Sequence, residues 1–490
     1  MECNSIKNVA SNSIIYTASG ILMKCFSFFL LPLYTAYLTT NDYGIVNIAR
    51  NFLIPMSFIV SFSLFSAVSR FYVILQDNVE NLRRFYGSVS ILVFLSGIFW
   101  SAIFTVKRNW IIEYVFTGID YYPIVFLCLL SLIFESQYNI YIQILKSQQR
   151  AKKASVVSIA YFLLTVFLNI FFVVILKNGA SGVLLATLIS NVVFFIYFIF
   201  DMLKDNQIEF VLDLKLLKDA LSYSIPIMPH NLSTHIAMLV SSVLIGSKTS
   251  FSMLGIYAVA IQFGNIADTI QGYVDSAYGP WLYQQLKTKD KSYKEIIAKA
   301  TDLLVSGIGL SFIGISLFAH DYIVLFLNKS YVDAWIYVPL LVTVFSIKTV
   351  YYFYVEVLFY YRQAARFLFI ATLSGSIINI LLSCIIIPKY GILGAIISNA
   401  VSMVIRVLIV IKISRYYDDI GLKLSVFFKN FIIVEFFIVM GSIFSYTVFY
   451  SEFSVLNFIY KIIIIVLYII LCMVRFQKEL KSYIIRLKMG

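Results

Sequence analysis

The chain has 490 residues, of which 61% are hydrophobic, 17% aromatic and only 13% charged. Soluble domains average about 25% charged and about 45–50% apolar residues, so this composition excludes an ordinary soluble enzyme, a disordered chain and a disulfide-rich secreted scaffold. The formal net charge of +13 is what basic cytoplasmic loops produce in a membrane protein, and no nucleic-acid partner is needed to explain it.

A helix crosses about 30 Å of hydrocarbon in about 20 residues, and fourteen segments of the chain meet that ruler. The first, 12–38, carries a single charge, Lys24, and Ser13, Thr17, Gly20, Lys24 and Ser27 share one helical stripe. In the second, 45–69, Asn47, Arg50, Ser57 and Ser61 form a similar stripe. The third, 85–105, is uncharged, and the fourth, 121–143, places Glu135 on a face with Ser131 and Asn139. Segments 154–176 and 180–200 are again uncharged. The seventh and eighth, 220–245 and 253–281, are unusually polar. His230, Thr234 and Ser241 line the seventh, and Asn265, Asp268, Gly272 and Asp275 share a face of the eighth. After 298–318 comes 335–360, with Lys348 among Tyr351, Tyr352 and Tyr354 and with Glu356 eight residues on. The last four are 365–387, 391–411, 429–449 and 456–474. Ala395, Asn399, Ser402 and Arg406 form a stripe in 391–411, and Lys461 sits near one end of the last segment.

With the N-terminus placed in the cytoplasm, 27 of the 38 Lys and Arg fall on the inside, six on the outside and five within segments. That bias supports the count of fourteen and puts both termini in the cytoplasm. No loop exceeds about 20 residues, which leaves no room for a soluble catalytic domain. The N-terminus lacks a basic region followed by a small-residue cleavage site, so no signal peptide is expected. Five scattered cysteines and three histidines offer no metal-ligand spacing, and no cofactor is expected.

The chain repeats itself. KNGASGVLLATLISN at 177–191 and KYGILGAIISN at 389–399 each place a Gly-x-x-Gly turn at the head of a helix continuing to Ser-Asn. LNIFFVVIL and INILLSCIIIP precede them, and Arg150 and Arg362 occupy matching corners. An even-numbered repeat keeps both copies in one orientation, as expected of two six-helix lobes related by an axis along the membrane normal. The expected division is 1–205, 206–415 and two further helices with a basic tail over 416–490. The fold class is therefore an all-α integral membrane protein.

A charge facing lipid costs about 2.5–3.5 kcal/mol on insertion scales. Lys24, Arg50, Lys348 and Arg406 are therefore candidates for a cationic cavity between the lobes that holds an anionic headgroup, with Tyr351 and Tyr352 stacking on sugar faces. Lys461 is expected to snorkel to the nearer surface. Glu135, Asp268, Asp275, Glu356 and His230 are candidates for H⁺ or Na⁺ coupling; alternatively each carboxylate pairs with a basic residue across the cavity.

The stretch GILMKCFSFFLLPLYTAYLTTNDYGI (20–45) resembles the opening of the bacterial polysaccharide and O-antigen flippases, in which a lysine-bearing helix runs into Pro-Leu-Tyr-Thr and an acidic-Tyr-Gly turn. LGIYAVA (254–260), YGPWLY (278–283) and IIPKYGILGAIISN (386–399) extend the resemblance over nearly the whole chain. The family lies within the multidrug/oligosaccharidyl-lipid/polysaccharide exporter superfamily. The resemblance implies alternating-access transfer of undecaprenyl-diphosphate-linked oligosaccharide from the cytoplasmic to the outer leaflet of the bacterial plasma membrane. It also implies membrane lipid, a polysaccharide polymerase and a chain-length regulator as partners. One departure is plain: the family's Asp-Arg pair late in the seventh helix is replaced by Ser241 and Ser242. A cation-coupled drug exporter would favour an acidic group in the first-lobe cavity, where the first helix has only Lys24. A polymerase would need a large external loop, and a membrane scaffold would leave the intramembrane charges unexplained.

Overall fold

The computed structural model describes residues 2–477. Two compact units divide the chain, Met1–Gly255 and Ile256–Gly490. The first contains α1 (Glu2–Phe29), α2 (Leu31–Tyr37), α3 (Thr40–Val60), α4 (Leu64–Leu75), α5 (Val79–Val106), α6 (Arg108–Tyr114), α7 (Phe126–Ser147), α8 (Ala151–Asn169), α9 (Gly179–Lys204), α10 (Leu214–Ser224) and α11 (Met228–Lys248). A long helix, α12 (Phe251–Thr288), starts in the first unit and continues into the second. There α13 (Tyr293–Phe326), α14 (Ala334–Tyr360), α15 (Arg362–Ala365), α16 (Leu368–Tyr390), α17 (Ile392–Tyr417), α18 (Leu424–Thr447) and α19 (Val455–Arg475) follow. Among the described residues 13 helical segments are long and apolar enough to cross a membrane. The fourteenth expected segment is α11, whose 21 residues have the length but not the apolarity.

Three segments depart from their expected outlines. The first is interrupted at Leu30, because Pro32 enters the opening turn of α2 without an N–H to continue the ladder. The second stops at Val60, and Phe62 and Ser63 take left-handed φ values of 49° and 53° before α4 begins. Pro55 removes one donor there, and the Ser57 and Ser61 hydroxyls bond backward to Ile54 and Ser57 carbonyls at 2.8 and 2.6 Å. The seventh divides into α10 and α11 around a 3₁₀ turn over Ile225–Ile227, with Pro226 opening the turn and Pro229 opening α11.

The family-like motifs have local structural reasons. Thr39 and Asp42 form a capping box at the start of α3, and Asp42 Oδ1 also accepts from the Ala180 amide at 3.3 Å. A Cβ on Gly44 would land on the Phe251 carbonyl oxygen, and one on Gly255 would land on that of Thr40. The acidic-Tyr-Gly turn and the Leu-Gly-Ile-Tyr motif therefore meet where α3 and α12 touch backbone to backbone. Gly44→Ala should overpack this contact by about 1–3 kcal/mol. Its readout is a lower melting temperature of the purified protein, with Gly314→Ala, a site with nothing within 4 Å of the added methyl, unaffected.

The internal repeat has a common geometry. Gly179 and Gly391 carry φ of 53° and 55° at the heads of α9 and α17, a conformation that favours glycine. A Cβ on Gly182 would meet the Phe172 carbonyl oxygen at 3.1 Å, and one on Gly394 would meet that of Ile386 at 2.8 Å. In each copy the first glycine turns the chain and the second lets the new helix lie against the one it follows.

Candidate functional site

The polar residues of α12 and α14 form a ladder at helical spacing. Lys348 Nζ lies 2.6 Å from Asp268 Oδ1, and the Tyr352 hydroxyl donates to the same oxygen at 3.0 Å. The ammonium also stands over the rings of Tyr352 and Phe345, at 5.1 and 5.8 Å from their centroids. One turn on, Gln271 Nε2 donates to Thr349 Oγ1 at 2.6 Å and to the Phe345 carbonyl at 2.7 Å. Asp275 follows, lining a narrow crevice with Tyr278, Thr349, Tyr352 and Phe353. At the far rung the Tyr283 hydroxyl bonds Glu356, which packs against Gly279. The motif YGPWLY thus grips Glu356 through two of its members.

Arg406 on α17 lies over Gly375 of α16, and its Nη2 donates to Ser376 Oγ at 2.7 Å. Tyr351 is within electrostatic range of this guanidinium. Ser402 from the same stripe accepts from Asn379 at 3.4 Å. The second unit therefore brings Lys348, Asp268 and Tyr352 into direct contact and holds Arg406 within electrostatic range of Tyr351.

In the first unit Lys24 is exposed on α1, a helix whose described contacts include Ser19 Oγ to Ser155 Oγ of α8 at 3.0 Å. Arg50 is exposed on α3, and Glu135 of α7 lies within its electrostatic range. Asn51, the neighbour of Arg50, donates to Asn47 Oδ1 at 3.0 Å and to Ser242 Oγ at 2.7 Å. Ser242, standing where the resemblance places a charged residue, is thus part of a neutral clasp between α3 and α11. Its neighbour Ser241 bonds back to the Ala237 carbonyl at 3.0 Å. Between α7 and α8, Tyr138 stacks on Tyr161 with ring centroids 4.3 Å apart. His230 sits in the first turns of α11, where its carbonyl accepts from Ser233 Oγ at 3.0 Å.

Lys461 departs from expectation. It is fully buried, 2.7 Å from Asp321 Oδ2 and 3.3 Å from His320 Nδ1. His320 Nε2 meets the Phe449 carbonyl at 2.5 Å, and Trp335 packs edge-on against the imidazole. The expected loop from 319 hid these partners, because α13 continues as a helix to Phe326. At the opposite end of α19, Arg475 Nη2 reaches both Asp302 oxygens at 2.6 and 2.8 Å. Two ion pairs therefore bolt α19 to α13. A further acid the sequence reading passed over, Glu435 on α18, accepts from Thr343 of α14 at 3.0 Å.

Outside the spans, a hydrogen bond from Arg150 and then the charge of Lys153 hold the exposed Asp205 carboxyl below its ordinary range. A hydrogen bond to Asp418 raises Lys289, whose Nζ lies 2.9 Å from that carboxylate. Both pairs lie at helix ends, and the more exposed one, Arg150–Asp205, contributes little stability.

The family model described as polysaccharide biosynthesis protein matches residues 9–286, more than half of the chain. Lsg locus putative protein 1 of Haemophilus influenzae (strain ATCC 51907 / DSM 11121 / KW20 / Rd) is 25% identical over 366 residues, spanning 72% of this chain and 86% of its own. Among solved structures, the lipid II flippase MurJ in an inward closed conformation has a TM-score of 0.72 at 16% identity, covering 95% of this chain and 100% of that one. An inward-facing multidrug resistance MATE family transporter of the MOP superfamily has a TM-score of 0.57 at 16% identity, covering 85% of this chain and 96% of its own. These two likenesses establish the fold.

Proposed function

The chain belongs to the polysaccharide biosynthesis protein family, and from that premise we propose that it is a flippase for a lipid-linked oligosaccharide. Its substrate is an undecaprenyl-diphosphate-linked repeat unit of O-antigen or another surface polysaccharide. The unit moves from the cytoplasmic to the outer leaflet of the bacterial plasma membrane by alternating access. The observation that carries the reading is the set of basic side chains at mid-span, Lys24 and Arg50 in the first unit and Lys348 and Arg406 in the second. Such charges persist in a membrane where they meet water, a partner or an anion, and a diphosphate supplies the anion. Tyr351 and Tyr352 offer faces for sugar rings, while the lipid tail stays in the bilayer. The 27-to-6 distribution of basic loop residues supports cytoplasmic termini. Coupling to H⁺ or Na⁺ would draw on Glu135, Asp275 or Glu356. A polymerase and a chain-length regulator are the partners that would receive the product.

The test is complementation. A strain lacking this gene should lose its surface glycan and regain it with the wild-type copy. Unchanged glycan with altered drug susceptibility would instead assign the chain to drug export. Gly375→Ala is a finer probe, since its methyl group would fall on the Arg406 side chain. We expect glycan export to fall about fivefold, on the order of 1 kcal/mol of displaced contact, at unchanged protein abundance.

A further inference from the structure

The Lys348–Asp268 and Lys461–Asp321 pairs are chemically alike but differ in access. The Lys461 and Asp321 side chains are 0% and 4% exposed, whereas those of Lys348 and Asp268 are 22% and 34% exposed. A sealed pair cannot change partners without unfolding its surroundings; the Lys348 pair is open to a ligand. The hold on Asp268 is also one-sided, because Lys348 and Tyr352 both address Oδ1. A diphosphate arriving at Lys348 Nζ would meet the Asp268 carboxylate as a like charge at the same cation, so although the ammonium has three N–H donors the two anions repel and compete for it.

We propose that Asp268 is a built-in competitor for the substrate headgroup, bound to Lys348 when no diphosphate is present and displaced when one arrives. This rests on the headgroup reading of Lys348 given above. The same exchange run backward releases the product, because the carboxylate is tethered beside the ammonium at high effective concentration. Asp268 thereby keeps the diphosphate from binding too tightly to leave, and it spares Lys348 an unpaired state between cycles. No covalent bond forms or breaks; two anions trade one cation.

The experiment uses the full-length protein in lipid nanodiscs, with undecaprenyl-diphosphate-linked disaccharide as probe and its monophosphate and uncharged polyprenol counterparts as controls. Asp268→Asn is expected to bind the diphosphate about tenfold more tightly, the scale of one charge-assisted hydrogen bond, and to turn over more slowly in liposomes. Tyr352→Phe, which loosens the carboxylate without removing it, should tighten binding by about two- to threefold. Binding by either variant that is equal to or weaker than wild type overturns the competitor role. A wild-type protein that fails to distinguish diphosphate from polyprenol would instead overturn the headgroup reading, so the two failures are separable.

Discussion

Replacing Lys348 by alanine is expected to abolish export of the lipid-linked glycan while the protein still reaches the membrane. The side chain is the only ammonium within hydrogen-bonding distance of Asp268 among the described residues, and it is the group we assign to the diphosphate. A charge-assisted hydrogen bond to the headgroup contributes about 1.5–3 kcal/mol, which corresponds to a rate loss of up to about a hundredfold. Stability should suffer less than in a sealed pair, because Asp268 is one-third exposed and keeps the Tyr352 hydroxyl. The double variant Lys348→Ala, Asp268→Asn removes the carboxylate left alone. It should restore any lost abundance without restoring export. Surface glycan measured beside membrane-protein abundance separates the two roles. Export that recovers with abundance would mean that Lys348 is structural.

The second large effect falls on folding. Lys461→Ala leaves Asp321 buried without its ammonium, and breaking such a pair costs about 3–5 kcal/mol, a substantial share of a typical 5–15 kcal/mol stability. His320 remains beside Asp321 but is committed to the Phe449 carbonyl. The Arg475–Asp302 pair still holds the other end of α19, so loss should begin at the α18–α19 turn. Thermal melting of the purified protein is expected to show a clear drop for Lys461→Ala. Most of it should be regained in Lys461→Met, Asp321→Asn, where both charges are gone. Export by these variants should track protein abundance. A single variant that melts like wild type would show that the buried pair contributes nothing measurable.

The contrast between these two lysines shows what a linear sequence can convey. Segment lengths and the basic loop bias bring out the helices, because about 20 apolar residues and the positive-inside tendency are properties of the chain itself. The glycines at 179, 182, 391 and 394 were legible as helix heads for the same reason: the turn and the close approach are local. Lys348, Tyr352 and Asp268 were each visible as polar groups at mid-span, yet their pairing across 80 residues depends on how α12 lies on α14. Lys461 was misjudged because its partners lay where a loop was expected. Apolar length marked the hydrophobic middle of α13, not the full helix to Phe326. The Asn47–Asn51–Ser242 clasp was hidden too, since hydrogen bonding between neutral side chains leaves no periodic signature.

The most direct measurement is transbilayer movement in liposomes containing only this protein and a fluorescent undecaprenyl-diphosphate-linked oligosaccharide. The account predicts that wild-type protein makes the inner-leaflet label accessible to an added membrane-impermeant quencher, that Lys348→Ala does not, and that a polyprenol-linked neutral analogue stays in place. Equal movement of the diphosphate and neutral lipids, or undiminished movement by Lys348→Ala, would contradict it.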